Sequence, residues 1–154
     1  MSFHIVLVEP EIPANTGNIA RTCAATGTHL HLVRPLGFQT DDRTLKRAGL
    51  DYWHAVNVHY HDSFDEVREQ FPQSRFFFAS TRASKVYSEF AYQDGDFFVF
   101  GKETKGLPQE LIDANLPTCI RMPMTDAVRS LNLSNSAAIV LYEAFRQISF
   151  AGLK

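Results

Sequence analysis

The stretch from Asp96 to Gln147 reads DFFVFGKETKGLPQELIDANLPTCIRMPMTDAVRSLNLSNSAAIVLYEAFRQ. Its apolar run Phe97–Phe100 is typical of a strand that is buried on both faces. The strand stops at Gly101, where the backbone can turn or approach a ligand closely. A second turn follows at Gly106, and Pro108 suits the first turn of a short helix from Gln109 to Ala114.

A further strand and a long helix complete this stretch. The strand is predicted from Cys119 to Met122, and after a polar loop Ser134 is a good N-cap for the helix. Apolar residues then recur at helical spacing, at Ala137, Ala138, Leu141, Ala144, Phe145 and Ile148. Two strand-end loops and a helix start therefore lie close together, and ligands of open α/β sheets bind outside the carboxyl ends of strands. The alternative is an ordinary α/β unit with turn glycines.

The rest of the chain alternates between the same two kinds of element. Four more strands are predicted at 4–8, 29–33, 55–60 and 75–79. Helices are predicted from near Asn15 or Thr16 to Gly27, at 41–50 and at 65–71. This alternation predicts an α/β fold with a mostly parallel six-stranded sheet and helices on both faces. His59 and His61 have no third ligand at metal-site spacing, so they are interpreted as structural or surface residues.

Length and composition restrict the class of protein. The 154 residues are 45% hydrophobic and include 13 Phe, so we expect a single domain, 1–154, with its own core. The net charge of −2 disfavours coating of nucleic acid by bulk charge, although a local basic patch stays possible. Two cysteines without metal spacing, and no signal peptide or apolar run of roughly 20 residues, favour a cytoplasmic protein.

Common catalytic motifs do not occur in the sequence. It has no G-x-G-x-x-G fingerprint, no phosphate-binding P-loop, no G-x-S-x-G elbow and no H-E-x-x-H helix. The 101–106 segment, GKETKG, has the wrong order for a P-loop. From pattern alone, the prediction is an α/β domain with a ligand crevice at the last three strands.

Three blocks of sequence resemble the SPOUT, or α/β-knot, class of methyltransferases, in its SpoU/TrmH-like branch of RNA ribose 2′-O-methyltransferases. The blocks are EIPANTGNIAR at 11–21, FVFGKETKGLP at 98–108, and IRMPM at 120–124 with SLNLSNSAA at 130–138. They occur in the order that the family has, and the resemblance covers nearly the whole chain. It implies a trefoil knot near the C-terminus, which general rules of chain topology would not predict.

The resemblance also implies a cofactor, S-adenosylmethionine (AdoMet), and no metal. The residues expected to line its pocket are Ala79, Gly101, Met122 and Ser130, with Leu107 and Leu133 beside the adenine. The family is homodimeric with a shared active site, which suggests Tyr142, Phe145 and Arg146 of the last helix for the interface. For Tyr142, a place in the core is the alternative.

Four residues are implied for catalysis: Arg21, Asn15, Asn132 and Glu103. The family arginine is often described as a general base, but a guanidinium with a pKa above about 12 is better suited to stabilise a developing alkoxide. Asn15 and Asn132 resemble polar supports, and Glu103 is interpreted as structural. The alternatives are a helix cap for Asn15 and a solvated helix position for Arg21.

Between the blocks, RPLGF at 34–38, RAGLDY at 47–52 and YQDGD at 92–96 resemble a compact subgroup of the family. The resemblance implies methylation of the wobble nucleotide of tRNA-Leu isoacceptors by a single SPOUT domain with no appended RNA-binding domain. The tRNA anticodon stem-loop is therefore the expected partner. The candidate phosphate contacts are Arg43, Lys46, Arg47, Arg82, Lys85, Arg121 and Arg129. Tyr52 and Trp53 could stack on a base, although core packing is favoured for Trp53. The alternatives are another tRNA or rRNA ribose, an AdoMet-retaining RNA-binding module without catalysis, and a nucleotide-binding regulator.

Overall fold

A computed structural model describes residues 2–39, 43, 47 and 53–154. Six parallel strands form one sheet in the order β3-β2-β1-β5-β4-β6. The strands are β1 (His4–Val8), β2 (His29–Val33), β3 (Val58–His61), β4 (Phe76–Ala79), β5 (Phe97–Phe100) and β6 (Cys119–Ile120). The helices, labelled along the described residues, are α1 (Pro13–Thr26), α2 (Phe64–Gln70), α3 (Gln109–Ala114) and α4 (Leu133–Gln147). The predicted helix at 41–50 lies outside the described residues, apart from Arg43 and Arg47.

Apolar side chains alternate along the strands and build a core on each face of the sheet. On one face, residues such as Ile5, Leu7 and Phe98 pack with α1 and α4. On the other face, Val6 and Val99 belong to a second cluster that also contains residues of α2 and α3. This arrangement confirms the predicted parallel sheet with helices on both faces, since the strands are apolar on both sides. Among the described residues, no helix is long and apolar enough to cross a membrane.

Several element ends differ from the sequence prediction. β3 begins at Val58 rather than at residue 55, because the Val56 N–H bonds to the Trp53 carbonyl in a turn. β6 ends at Ile120 rather than Met122, because Arg121 leaves the ladder and pairs with the Lys85–Tyr87 segment. Strands β1, β2 and β5 and helix α3 have the predicted bounds.

Both long helices begin earlier than predicted. α1 starts at Pro13 with Ile12 as its N-cap, so neither Asn15 nor Thr16 caps it. Proline at the first helical position loses no hydrogen bond, since that N–H has no partner within a helix. In α4 the cap is Asn132 rather than Ser134, and its side-chain oxygen accepts hydrogen bonds from the N–H groups of Ser134 and Asn135.

Histidines form a cluster beside the second core, consisting of His4, His29, His31, His59 and His61. His31 is fully buried, and its ring nitrogens lie 2.9 Å from His4 and 3.0 Å from His61. Burial lowers the pKa of His4 to about 4 and that of His31 to about 2. The rings of His4 and His31 are therefore neutral packing elements at neutral pH. The described residues contain no group of three or more side chains arranged to hold a metal.

Candidate active site at the carboxyl ends of the central strands

A cavity of about 590 Å³ lies where the loops after β1, β4, β5 and β6 meet the start of α4. Its volume falls within the usual range for small-molecule sites, which is about 300–1,000 Å³. Nine of the ten predicted site residues line it: Asn15, Ala79, Gly101, Glu103, Leu107, Met122, Ser130, Asn132 and Leu133. The cavity is therefore built from all three sequence blocks.

Arg21 is the predicted site residue that does not line the cavity. It lies six residues after Asn15 on α1, which is about 9 Å along the axis and about 120° around it. Asn15 is buried and faces the cavity, whereas Arg21 is exposed. The helix therefore separates the two side chains, although both are predicted for catalysis.

Gly101 allows a close turn in the cavity wall. A Cβ atom at this position would lie 2.0 Å from the Gly106 carbonyl carbon and 2.1 Å from the Leu107 nitrogen. The turn is closed by a hydrogen bond of 2.8 Å from the Gly106 N–H to the Lys102 carbonyl. Gly106 itself has φ of +69°, a conformation that favours glycine.

The Glu103 carboxylate joins the β5 loop to the β1 loop. It accepts hydrogen bonds from the backbone N–H groups of Glu11, at 2.8 Å, and Ile12, at 2.9 Å. It also accepts a bond of 3.1 Å from the Asn15 side-chain amide. These three bonds agree with a structural interpretation of Glu103, because its acceptor oxygens are engaged by neighbouring loops.

Asn15 and Asn132 continue this hydrogen-bond chain across the cavity. The Asn132 amide donates to the Asn15 side-chain oxygen at 3.1 Å, while the Asn132 oxygen caps α4. The carboxylate accepts from Asn15, so Asn15 must present its oxygen to Asn132, and the orientation of both amides is fixed. A polar chain therefore runs from Glu103 to the N-terminus of α4.

The remaining wall combines apolar side chains with cations at the rim. Leu107 is buried, and Ala79, Met122 and Leu133 are half-buried. The lining cations are Arg82, Lys102, Lys105 and Arg129, of which the two lysines were not among the predicted contacts. The Lys102 Nζ atom lies 3.4 Å from the Glu9 Oε1 atom. Such a cavity suits a ligand with both apolar and polar parts, beside an anionic partner.

Other predicted contacts are placed elsewhere. The half-buried Arg121 donates to the Ala83 carbonyl, which makes it a structural side chain, and Lys85 lies over the Phe90 ring. Trp53 packs against the core, as favoured from sequence. Lys46 and Tyr52 lie outside the described residues.

The three predicted interface residues of α4 differ in their exposure to solvent. Phe145 is buried against Phe3, so its assignment to an interface is wrong. Tyr142 is 43% exposed, which excludes the alternative of a core position. Arg146 is exposed and paired with Glu143 at 2.8 Å.

Comparison with known proteins shows similarity along nearly the whole chain. The family model described as "SpoU rRNA Methylase family" matches residues 2–142. A protein from Methylovorus glucosotrophus (strain SIP3-4), named tRNA (cytidine(34)-2'-O)-methyltransferase, is 54% identical over 151 residues, which are 97% of this chain and 98% of that protein.

Two solved structures have the same fold. One, described as "Structural insights into the 2-OH methylation of C/U34 on tRNA", has a TM-score of 0.92 and 45% identity, and the match covers 97% of both chains. The other is the AdoMet-bound rRNA methyltransferase from Sinorhizobium meliloti, with a TM-score of 0.82 and 26% identity over 96% of this chain and 57% of that one.

The parallel sheet and the cavity at its carboxyl edge define an α/β enzyme of the SPOUT methyltransferase class. Within that class, the chain belongs to the SpoU rRNA Methylase family.

Proposed function

We propose that the chain is an AdoMet-dependent tRNA 2′-O-methyltransferase that acts on the wobble nucleotide of tRNA-Leu isoacceptors, a cytidine or modified uridine at position 34. The observation that carries the proposal is the single cavity that unites nine predicted site residues from the three blocks. The relative from Methylovorus glucosotrophus, which matches 97% of the chain, supports the position on tRNA through its name. A cytoplasmic location follows from this proposed substrate.

The cavity fits AdoMet in volume and in chemistry. Leu107 and Leu133 provide apolar contacts for a nucleobase, while the turn at Gly101 brings backbone atoms to the wall. Ala79, Met122 and Ser130 would complete the enclosure. AdoMet, when bound, supplies an activated methyl group, so the protein has to position the accepting ribose and assist loss of its proton.

Asn15 and Asn132 would orient the ribose, because the Glu103 chain holds both amides in one orientation. Arg21 would stabilise the developing alkoxide as a fixed cation, a role that suits its planar guanidinium fork. Since Arg21 is not part of the cavity wall, this role requires a site that is completed beyond a single chain.

A homodimer would provide such a site. An exposed apolar face joins α1 and α4, and its side chains include Ile139 at 40% exposure, Tyr142 at 43% and Phe150 at 43%. Tyr142 and Phe150 share a groove with Ala25, which lies one turn after Arg21 on the same face of α1. A second copy on this face would bury the apolar groove and place Arg21 at the interface.

The rim cations explain how a chain with a net charge of −2 would hold RNA. Arg82, Lys102, Lys105 and Arg129 concentrate positive charge at the cavity, where phosphates flanking the target nucleotide would lie. Binding of tRNA is therefore expected to weaken as salt concentration rises.

A methyl-transfer assay with labelled AdoMet and total tRNA tests the proposal. The product is mapped by nuclease digestion and mass spectrometry, and a 2′-O-methyl group at nucleotide 34 of leucine tRNAs is expected. Methylation at a different tRNA or rRNA ribose would support the proposed reaction but refute the proposed substrate. AdoMet binding without transfer to any RNA would instead indicate a non-catalytic RNA-binding module.

A further inference from the structure

Glu11 and Thr104 form a second connection between the two loops that Glu103 joins. The Glu11 carboxylate accepts hydrogen bonds from the Thr104 backbone N–H, at 3.0 Å, and from its hydroxyl, at 2.8 Å. In the reverse direction, the Glu103 carboxylate accepts from the backbone N–H of Glu11 at 2.8 Å. Each loop therefore sends a carboxylate to the backbone of the other, and we call this pair of connections the carboxylate clasp.

The clasp brings two negatively charged residues onto adjoining loops. Two carboxylates on adjoining loops repel each other unless donors compensate both charges. The Thr104 donors lower the pKa of the Glu11 carboxyl, and Lys102 and Lys105 lower it further. Glu11 therefore stays ionised and keeps accepting the Thr104 bonds at neutral pH.

The two connections together fix more than either does alone. The Glu103 carboxylate holds the backbone of the β1 loop at Glu11 and Ile12, but it makes no bond to the Thr104 backbone of its own loop. Two carboxylates that reach in opposite directions also fix the orientation of the loops. Because Ile12 is the N-cap of α1, the clasp determines where the first turn of that helix lies, and with it the side chain of Asn15.

We propose that Glu11 and Thr104 are positioning residues of the methyl-transfer site, which hold the loop that carries Asn15 against the loop that carries Glu103. The inference rests on the proposed function for the reaction it serves, whereas the clasp itself can be detected without any reaction. Neither residue is placed in contact with the reacting atoms. They act through Asn15, whose amide lies in the chain from Glu103 to Asn132.

The principal test measures kinetics and AdoMet affinity in Glu11→Ala and Thr104→Val. A displacement of a catalytic group by about 1 Å can reduce rates by about 100-fold, so we expect kcat to fall by about 10- to 100-fold. The Kd for AdoMet is expected to change by less than about 3-fold, because the turn between Gly101 and Leu107 is closed by its own hydrogen bond from the Gly106 N–H to the Lys102 carbonyl. Thr104→Ser, which keeps both donors, should retain more activity than Thr104→Val.

A double mutant shows whether Glu11 and Thr104 act together in the clasp or affect activity independently. If the residues act as one unit, Glu11→Ala combined with Thr104→Val should lose no more activity than the worse single variant. Glu69→Ala, which removes an exposed glutamate from α2 outside the cavity, is the matched control and should leave kcat unchanged. Wild-type kcat in Glu11→Ala, or losses that multiply in the double mutant, would overturn the proposal.

Amide hydrogen exchange detects the clasp without activity. Glu11→Ala should remove protection from the Thr104 N–H, and Glu69→Ala should not. If the wild-type chain methylates no tRNA, the proposed function fails, and lost Thr104 protection would still support the clasp. Unchanged protection of Thr104 in Glu11→Ala would show that no clasp exists in solution.

Discussion

At the scale of single residues, Gly101 shows how a missing side chain shapes the site. A Cβ atom on residue 101 would lie about 2 Å from the backbone of Gly106 and Leu107. The site therefore has no room for alanine. The neighbouring atoms belong to the main chain and cannot rotate away. Overpacking of this kind typically costs about 1–3 kcal/mol.

We therefore predict that Gly101→Ala lowers the free energy of unfolding by about 3 kcal/mol and weakens AdoMet binding, because the turn at the cavity wall must open. Gly106→Ala is the matched control, since it meets no atom within 4 Å and only its φ of +69° is strained. That variant should lose about 1 kcal/mol. Chemical denaturation and calorimetric titration with AdoMet measure both effects, and equal losses in the two variants would contradict the steric explanation.

Arg21 allows a second prediction at this scale. Arg21→Ala should reduce kcat for tRNA methylation by about 100-fold or more, as is typical when an electrostatic stabiliser of a transition state is removed. Arg21→Lys keeps the charge but loses the planar fork, so substantial activity in this variant would show that charge alone suffices. The exposed Arg34, which pairs with Asp62 and does not line the cavity, provides the control Arg34→Ala.

At the scale of elements, the sequence prediction placed the central strands correctly but misplaced the starts of both long helices and gave no contacts between loops. Strands such as β1 and β5 were predictable because unbroken apolar runs are bounded by prolines or glycines. The cap of α4 was assigned to Ser134 instead of Asn132, since both are good caps and only the tertiary fold distinguishes them. The resemblance to a family, rather than periodicity, supplied the site residues.

The links among those loops could not be predicted in the same way. Glu103 and Asn15 are 88 residues apart, and Asn132 and Asn15 are 117 apart. No local pattern reports a hydrogen bond over such a distance. Glu11 was missed for this reason, although it begins the first block and Thr104 lies within the second.

Asn132 has two functions at the start of α4, and two substitutions separate them. Asn132→Ala removes the cap and should lower the free energy of unfolding by about 0.5–2 kcal/mol. Asn132→Asp keeps an acceptor for the cap but loses the amide donor to Asn15, so stability should be retained while methyl transfer falls. Thermal unfolding and the labelled transfer assay measure the two properties. Parallel losses of both in Asn132→Asp would show that they cannot be separated.

At the scale of the whole molecule, the buried histidines link stability to pH. The pKa of His4 is lowered to about 4 and that of His31 to about 2, mainly by burial, and burial also lowers the pKa of His29 and His61. These values lie below the ordinary 6.5, so the unfolded chain binds more protons once the pH falls below 6.5. The contribution of these histidines to the free energy of unfolding is therefore fully present above pH 6.5 and decreases below it.

We expect the free energy of unfolding to decrease steadily from pH 6.5 to about 4, the folded-state value for His4. Urea denaturation at several pH values measures this decrease. His4→Phe should make the dependence shallower, since a phenyl ring can stack on Phe97 without binding a proton. His54→Ala, at an exposed position, is the control, and an unchanged slope in His4→Phe would contradict the assignment to the cluster.

The trefoil knot is a property of the whole chain, and it stays a prediction from the family resemblance. Its presence would make refolding from denaturant slow, because the segment after β6 has to pass through the loop after β5 before α4 can pack. Refolding kinetics followed by tryptophan fluorescence would report such a phase.

The place of β1 between β2 and β5 has a consequence for the chain while a ribosome is making it. β1 can pair with β2 as soon as Val33 has emerged, but its other partner begins only at Phe97. At about 5–20 residues per second, the free side of β1 waits several seconds for β5. During that interval the nascent chain presents an open strand edge with apolar side chains on both faces, which is the form that chaperones recognise and that aggregates most readily. Slower translation of the middle of the message should therefore lower the yield of native protein, even though the finished sheet has β1 protected on both sides.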